Sequence, residues 1–155
     1  MIRWGVLSTA KIAKEHVIPA IIGAEGACLA AIASRDIKRA KNLSINYNVP
    51  LYFGDYGELL SSTEVDAIYI PLPTSDHIEW SLKAAAMGKH VLCEKPLKPN
   101  FDSVKNASEA YSKALGKELV VMVGFHRRFD IEYVKAKEYV ENWTGNGENL
   151  IIYGT

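Results

Sequence analysis

A carboxylate, an amine and a rigid ring stand together at Glu94, Lys95 and Pro96, directly after the apolar run His90–Cys93 in "HVLCEKPLKP". Charge at the mouth of a core is costly unless it is paired or used. Two readings follow. Glu94 and Lys95 either face a ligand, with Pro96 setting the turn that points them, or form a surface salt bridge at a strand end.

Four other clusters carry chemistry. "GVLSTAKIA" places a small-residue turn before a helix, with Ser8, Ala10 and Ala13 where a dinucleotide fingerprint has its three special positions. Hydroxyls at Ser8 and Thr9 can donate, and the helix N-terminus offers free N–H groups to an anion. The candidate contacts are Ser8, Thr9, Ala10, Lys11 and Ile12. An NAD-preferring site carries an acid about 20 residues further on, to hold the ribose 2′-hydroxyl. Here Ser34 and Arg35 occupy that place. A guanidinium beside a hydroxyl suits a 2′-phosphate, which favours NADP over NAD. Asp36 is the competing residue but reads better as a helix cap, and Arg39 one turn on either assists or is solvated surface. In "IPLPTSDH" the two prolines stiffen the exit of a strand, so Pro71, Leu72, Pro73, Thr74 and His77 are candidates to lie against the cofactor. The alternative is that Thr74 or Ser75 caps a helix and His77 sits in its first turn. In "VGFHRRFD", Arg127 and Arg128 either meet a substrate or cofactor group or pair with Asp130 or Glu94.

The elements that must position these residues alternate. Strands are expected at Ile2–Leu7, Ala27–Ser34, "PLYF", Asp66–Leu72, "HVLC" and "ELVVMVGF", with a last one begun at "NLIIYGT". Helices are expected in "AKIAKEHVIPAII", ended or kinked by Pro19, then Asp36–Asn48, "DYGELLSS", "SDHIEWSLKAAAMG" stopped by Gly88, Phe101–Leu115 and "DIEYVKAKEYVENW". The strands are continuously apolar rather than alternating, the mark of a sheet buried on both faces. The fold class is therefore α/β: a Rossmann-type doubly wound parallel sheet with helices on both faces. Such sheets bind ligands beyond the carboxyl ends of their strands, where all the clusters above fall. "TGNGEN" marks a boundary, so residues 1–143 are read as a nucleotide-binding domain and 144–155 as linker and the start of a further strand.

Bulk properties narrow the class. The chain has 155 residues, 48% hydrophobic and 23% charged, a composition of soluble globular domains. Lysine plus arginine and aspartate plus glutamate are each 18, which argues against nucleic-acid or anionic-membrane partners. Cys28 and Cys93 lie in apolar runs and read as buried free thiols, with no metal site. No apolar stretch approaches the ~18 residues of a membrane span. "MIRWGVLS" enters a strand pattern at once, leaving no room for a signal peptide, so a reducing cytoplasm is expected.

Taken together and in this order, "GVLSTAKIA", "ASRD", "PLPTSDH", "HVLCEKPL" and "VGFHRRFD" resemble the Gfo/Idh/MocA oxidoreductases, over Ile2 to about Val140. The Glu-Lys-Pro triplet at a strand end is the most specific element of the resemblance. The resemblance implies an NADP-binding domain of an enzyme that moves hydride between the nicotinamide and a sugar, polyol or vicinal-diol hydroxyl. It implies Lys95 as the residue that orients and deprotonates the substrate hydroxyl. Glu94 would orient Lys95 or contact the nicotinamide ribose, and the Lys95–Pro96 peptide would be cis. It also implies a second domain, an open sheet that carries an aspartate and a histidine on one helix, the histidine finishing the proton relay, and that forms a dimer interface. Asp130 has no histidine four places on, and the chain stops in what reads as that domain's first strand. The chain is thus expected to be incomplete for catalysis. Two alternatives stand beside this: a stand-alone nucleotide-binding or regulatory module, or a homo-oligomer that completes a site between copies, pairing through "NLIIYGT".

Overall fold

The computed structural model describes residues 1–97, 119–124 and Lys135. The chain divides into two compact units, Met1–Gly124 and Phe125–Thr155, and the architecture below is that of the first. The expected helices at Phe101–Leu115 and "DIEYVKAKEYVENW", the strand at "NLIIYGT" and the boundary at 143/144 lie outside the described residues.

Six strands form one sheet: β1 (Ile2–Leu7), β2 (Ala27–Ala33), β3 (Leu51–Phe53), β4 (Ala67–Ile70), β5 (His90–Glu94) and β6 (Val121–Gly124). Their order is β3-β2-β1-β4-β5-β6, and every neighbouring pair is parallel. The strand order reverses between β1 and β4, the place where doubly wound sheets open a crevice.

Continuous apolar strands serve two layers at once. Val6, Ile32 and Tyr69 point to one face, where Ile18 and Ile21 of α1 (Ile18–Gly23) and Leu43 of α2 (Ile37–Asn46) cover them. Leu7, Ile68, Ile70 and Cys93 point to the other. There they meet Leu59 and Leu60 of α3 (Tyr56–Ser61) and Ala84 of α4 (His77–Ala86). Each such aliphatic side chain contributes about 1.5–3 kcal/mol on burial. Cys93 is fully enclosed in this layer, and burial pushes its thiol up to about 11. Cys28, nearer the amino end of β2, is only half-buried.

Several boundaries differ from expectation, each for a local reason. Pro19 does not end the first helix. A π-helical turn at Ala13–Val17 precedes α1, with the Ile18 N–H donating to Ala13 O, and the helix then runs on to Gly23. A helical proline crowds the carbonyl four residues back. That carbonyl belongs to Glu15, inside the widened turn. Asp36 caps α2 as expected, accepting from the N–H groups of Lys38 and Arg39. Asp55 caps α3 in the same way through Gly57 and Glu58. No side chain caps α4; a 3₁₀ turn at Thr74–Asp76 feeds it instead, and the Ser75 hydroxyl donates to the Asp76 carboxylate. Gly88 follows α4 with φ +75°, a conformation that favours glycine.

β4 is shorter than expected at both ends: it begins after Asp66 and stops before Pro71, whose ring leaves no N–H for the ladder. The Arg3 guanidinium grips the Asp66 carboxylate through two contacts of 2.7 and 3.0 Å, and the Arg3 N–H adds a third at 2.9 Å. This pairing holds the Asp66 carboxyl at about 2. β5 is longer than expected, because Glu94 itself belongs to it and pairs with Gly124 of β6.

Candidate functional site: the carboxyl edge of the sheet

Because every strand is parallel, the residues that follow β1, β2, β4 and β5 gather along one edge. After β1 the chain turns at Ser8 with φ +110°. That region favours glycine, so the position aligned with the first fingerprint glycine keeps glycine's backbone shape while carrying a hydroxyl. The Ser8 N–H extends the ladder to Ala33 O at 2.8 Å, and its Oγ accepts from the Ala10 N–H at 2.9 Å. Ala13 is fully buried beneath the turn, so the helix start lies close to the sheet. Lys11 and Ile12 are exposed there, and Lys11 reaches toward Glu15 at 3.9 Å.

After β2 comes Ser34, buried, with its N–H on Phe53 O and its Oγ accepting from the Asp36 N–H. Arg35 is exposed beside it. Ser8, Thr9, Ser34, Arg35 and Arg39 all line one polar cleft of about 340 Å³. Asp36 shares its wall and faces Arg39 at 3.5 Å, so this carboxylate is engaged by its own helix.

The cleft also contains a residue that the sequence reasoning missed. Tyr56, the first residue of α3, lines it beside Arg35. Burial pushes its phenol up, and the neighbouring guanidinium pulls the other way. Its ring meets Trp80 edge-on, centroids 5.1 Å apart and planes at 88°, which sets the ring's place. The available signal was position: Tyr56 lies just past the carboxyl end of β3, and the same rule had singled out Ser8 and Arg35.

At the other end of the edge, Pro71 and Leu72 are buried, Pro73 is exposed and Thr74 is half-buried. His77 is 1% exposed. Its Nδ1 lies 2.8 Å from Pro96 O and its Nε2 2.7 Å from Leu72 O, so both ring nitrogens meet the chain's own carbonyls. Glu94 is 9% exposed. Its Oε1 accepts from the Tyr69 hydroxyl at 2.8 Å and its Oε2 from the Lys95 N–H at 3.2 Å. Lys95 and Pro96 are exposed at the edge, joined by a cis peptide. Arg127 lies outside the described residues.

Spacing along the edge sets what such a site can hold. β2, β1, β4 and β5 are consecutive, so Arg35 and Lys95 leave the sheet three strand spacings apart, or about 14 Å. One extended ligand spans that distance, whereas a compact one reaches only one end. Hydroxyl and guanidinium groups stand at the β1 and β2 end, and an amine stands at the β5 end.

A family model described as an oxidoreductase family with an NAD-binding Rossmann fold matches residues 2–125. The chain belongs to the Gfo/Idh/MocA oxidoreductase family. Among its Gfo/Idh/MocA relatives is the D-xylose 1-dehydrogenase (NADP(+)) 2 of Haloferax volcanii. It is 39% identical over 142 residues, covering 92% of this chain and 42% of that protein. The trans-1,2-dihydrobenzene-1,2-diol dehydrogenase of Xenopus tropicalis is 34% identical over 128 residues, covering 82% of this chain and 38% of that one. Among solved structures, the 3-ketoreductase KijD10 of Actinomadura kijaniata, in complex with NADP and TDP-benzene, superposes with a TM-score of 0.81. It is 31% identical, and the match covers 90% of this chain and 42% of that chain. The chain thus spans about two fifths of the length of these relatives. Among the described residues no cluster of metal-ligating side chains is present, and no helix is long and apolar enough to cross a membrane.

Proposed function

We propose that this chain is the NADP-binding domain of an oxidoreductase that acts on a hydroxyl, or the corresponding carbonyl, of a sugar, polyol or vicinal diol. The observation that carries the choice of NADP is the cleft after β2. Ser34 and Arg35 stand where an NAD-preferring site carries an acid, and the nearby carboxylate of Asp36 is occupied by its own helix and by Arg39. A planar guanidinium with a hydroxyl beside it matches a 2′-phosphate in charge and geometry. The turn from Ser8 to Ile12, with small residues at the start of a helix, suits the pyrophosphate. Pro71, Leu72, Pro73 and Thr74 would line the path to the nicotinamide.

When bound, the nicotinamide supplies the hydride acceptor or donor. The chain's own contribution at that end is Lys95, exposed where β5 leaves the sheet, which would orient the reacting hydroxyl and take its proton. The named chemistries of the xylose and dihydrobenzenediol dehydrogenases and of the 3-ketoreductase support this substrate class.

Fluorescence titration with NADPH and NADH tests the reading. NADPH is expected to bind at least about tenfold more tightly, the worth of one charged hydrogen bond. Tighter binding of NADH overturns the choice of cofactor. Reduction of NADP by a panel of sugars and vicinal diols, compared between wild type and Lys95→Ala, tests the amine; equal rates remove Lys95 from the chemistry.

A further inference from the structure

Tyr69 is a phenol in a hydrocarbon layer. It is 0% exposed in β4, among Val6, Ile18 and Ile32. A buried hydroxyl is costly unless it is bonded. Its hydroxyl donates to Oε1 of Glu94 on the neighbouring strand, 25 residues away in sequence. Burial and that carboxylate both push the phenol up, so it stays a donor. The second oxygen of Glu94 accepts the main-chain N–H of Lys95. A chain of two bonds therefore leads from the centre of the sheet to the base of the lysine.

A second tie reaches the same turn from the α4 side. His77 lies between Leu72 O, at the exit of β4, and Pro96 O, just past Lys95, and the tautomer sets which of these carbonyls its ring N–H donates to. Phenylalanine at 69 and leucine at 77 fill similar space, so packing alone does not call for either polar group. What the two side chains share is the segment they hold: Glu94 to Pro96, approached from β4 on one side and from α4 on the other.

We propose that Tyr69 and His77 are positioning residues, a two-sided clamp that ties the Glu94–Lys95–Pro96 turn to the exit of β4 and so sets where Lys95 stands relative to the nicotinamide end of the bound dinucleotide. The proposal rests on the NADP reading above. It assigns to two buried residues a task at the nicotinamide end alone, because the adenosine end is built from β1, β2 and α3.

The test compares two ligands on the full chain. NADPH spans both ends, and 2′-phospho-ADP-ribose lacks the nicotinamide. Tyr69→Phe removes one oxygen and keeps the ring. It is expected to weaken NADPH about fivefold while leaving 2′-phospho-ADP-ribose unchanged, the size of one lost hydrogen bond. His77→Leu is expected to do the same, and His77→Asn, whose amide can stand near the Nδ1 position, to restore much of the loss. Since Tyr69 acts through Glu94, Tyr69→Phe/Glu94→Gln is expected to be no weaker than Glu94→Gln alone. Equal losses for both ligands, additive losses in the double variant, or unchanged NADPH binding in Tyr69→Phe overturn the clamp. A wild-type chain that binds neither ligand overturns the NADP reading and the clamp with it. A wild type that binds both, with silent variants, overturns the clamp alone.

Discussion

Replacing Arg35 by alanine separates the proposed phosphate-binding role of the β2 edge from a structural one. Arg35 is exposed and sits in the loop between β2 and the capped start of α2, so its loss leaves the core and the Asp36 cap untouched. Two guanidinium groups line the cleft, and they are not equivalent. Arg39 faces the Asp36 carboxylate at 3.5 Å with 74% of its side chain exposed, so its charge is partly answered and screened. Arg35 stands beside the Tyr56 phenol and the Ser34 hydroxyl, in the part of the cleft that a 2′-phosphate would enter. A hydrogen bond to a charged group is worth about 1.5–3 kcal/mol, so removing Arg35 should cost about 2 kcal/mol of NADPH affinity, or about 30-fold. Arg39→Ala should cost only about threefold, as a screened surface charge does. NADH lacks the 2′-phosphate and should bind wild type and Arg35→Ala alike. Fluorescence titrations of both nucleotides against the three proteins supply all the numbers. Raising the salt should narrow the gap between NADPH and NADH for wild type, and leave Arg35→Ala little changed. Equal weakening of NADPH and NADH by Arg35→Ala would refute the argument, since it would place the guanidinium on a part common to both cofactors.

Two further predictions concern the scaffold. The Asp66 carboxyl is held at about 2 by its hydrogen bonds with Arg3, against 3.8 for a free side chain. A lowered folded-state value stabilises the fold above the unfolded value, and that stabilisation is lost as pH falls from about 4 toward 2. The urea midpoint of wild type should therefore drop between about pH 5 and pH 3 more than that of Asp66→Asn; parallel drops would dismiss this pair as a source of acid sensitivity. At Gly5 of β1, an added Cβ would lie 2.7 Å from Leu59 Cδ2, 3.0 Å from Val65 Cγ1 and 3.2 Å from Ile68 Cδ1. Leu59 can swing aside but the branched Val65 is stiff, so Gly5→Ala should destabilise by about 1–3 kcal/mol. An unchanged urea midpoint would show that α3 yields without cost.

Much of this architecture is short-range information. Continuous apolar runs of four to seven residues, such as "AIYI" and "ACLAAIA", can be satisfied only by layers on both faces, and that requirement alone implies the parallel sheet. Asp36, placed before a helical pattern, is a cap because its side chain reaches amides two and three residues on. The carboxyl edge follows from strand direction, so the strand exits at Ser8, Arg35 and Lys95 can be assigned to that one edge from the sequence. The positive φ of Ser8 was not visible, since nothing in "LSTA" announces that a serine has taken a glycine's conformation. For Tyr56 the sequence offered only its position past β3; that its ring lines the cleft depends on β3 pairing with β2. The fates of Glu94 and His77 were the least legible. Their partners are Tyr69, 25 residues away, and Pro96, 19 residues away, and only the docking of β5 against β4 brings them within 3 Å. Periodicity and turn chemistry state which face and which edge a residue must occupy. The atom that its polar end meets is decided by which strands lie side by side, and that is a property of the assembled sheet.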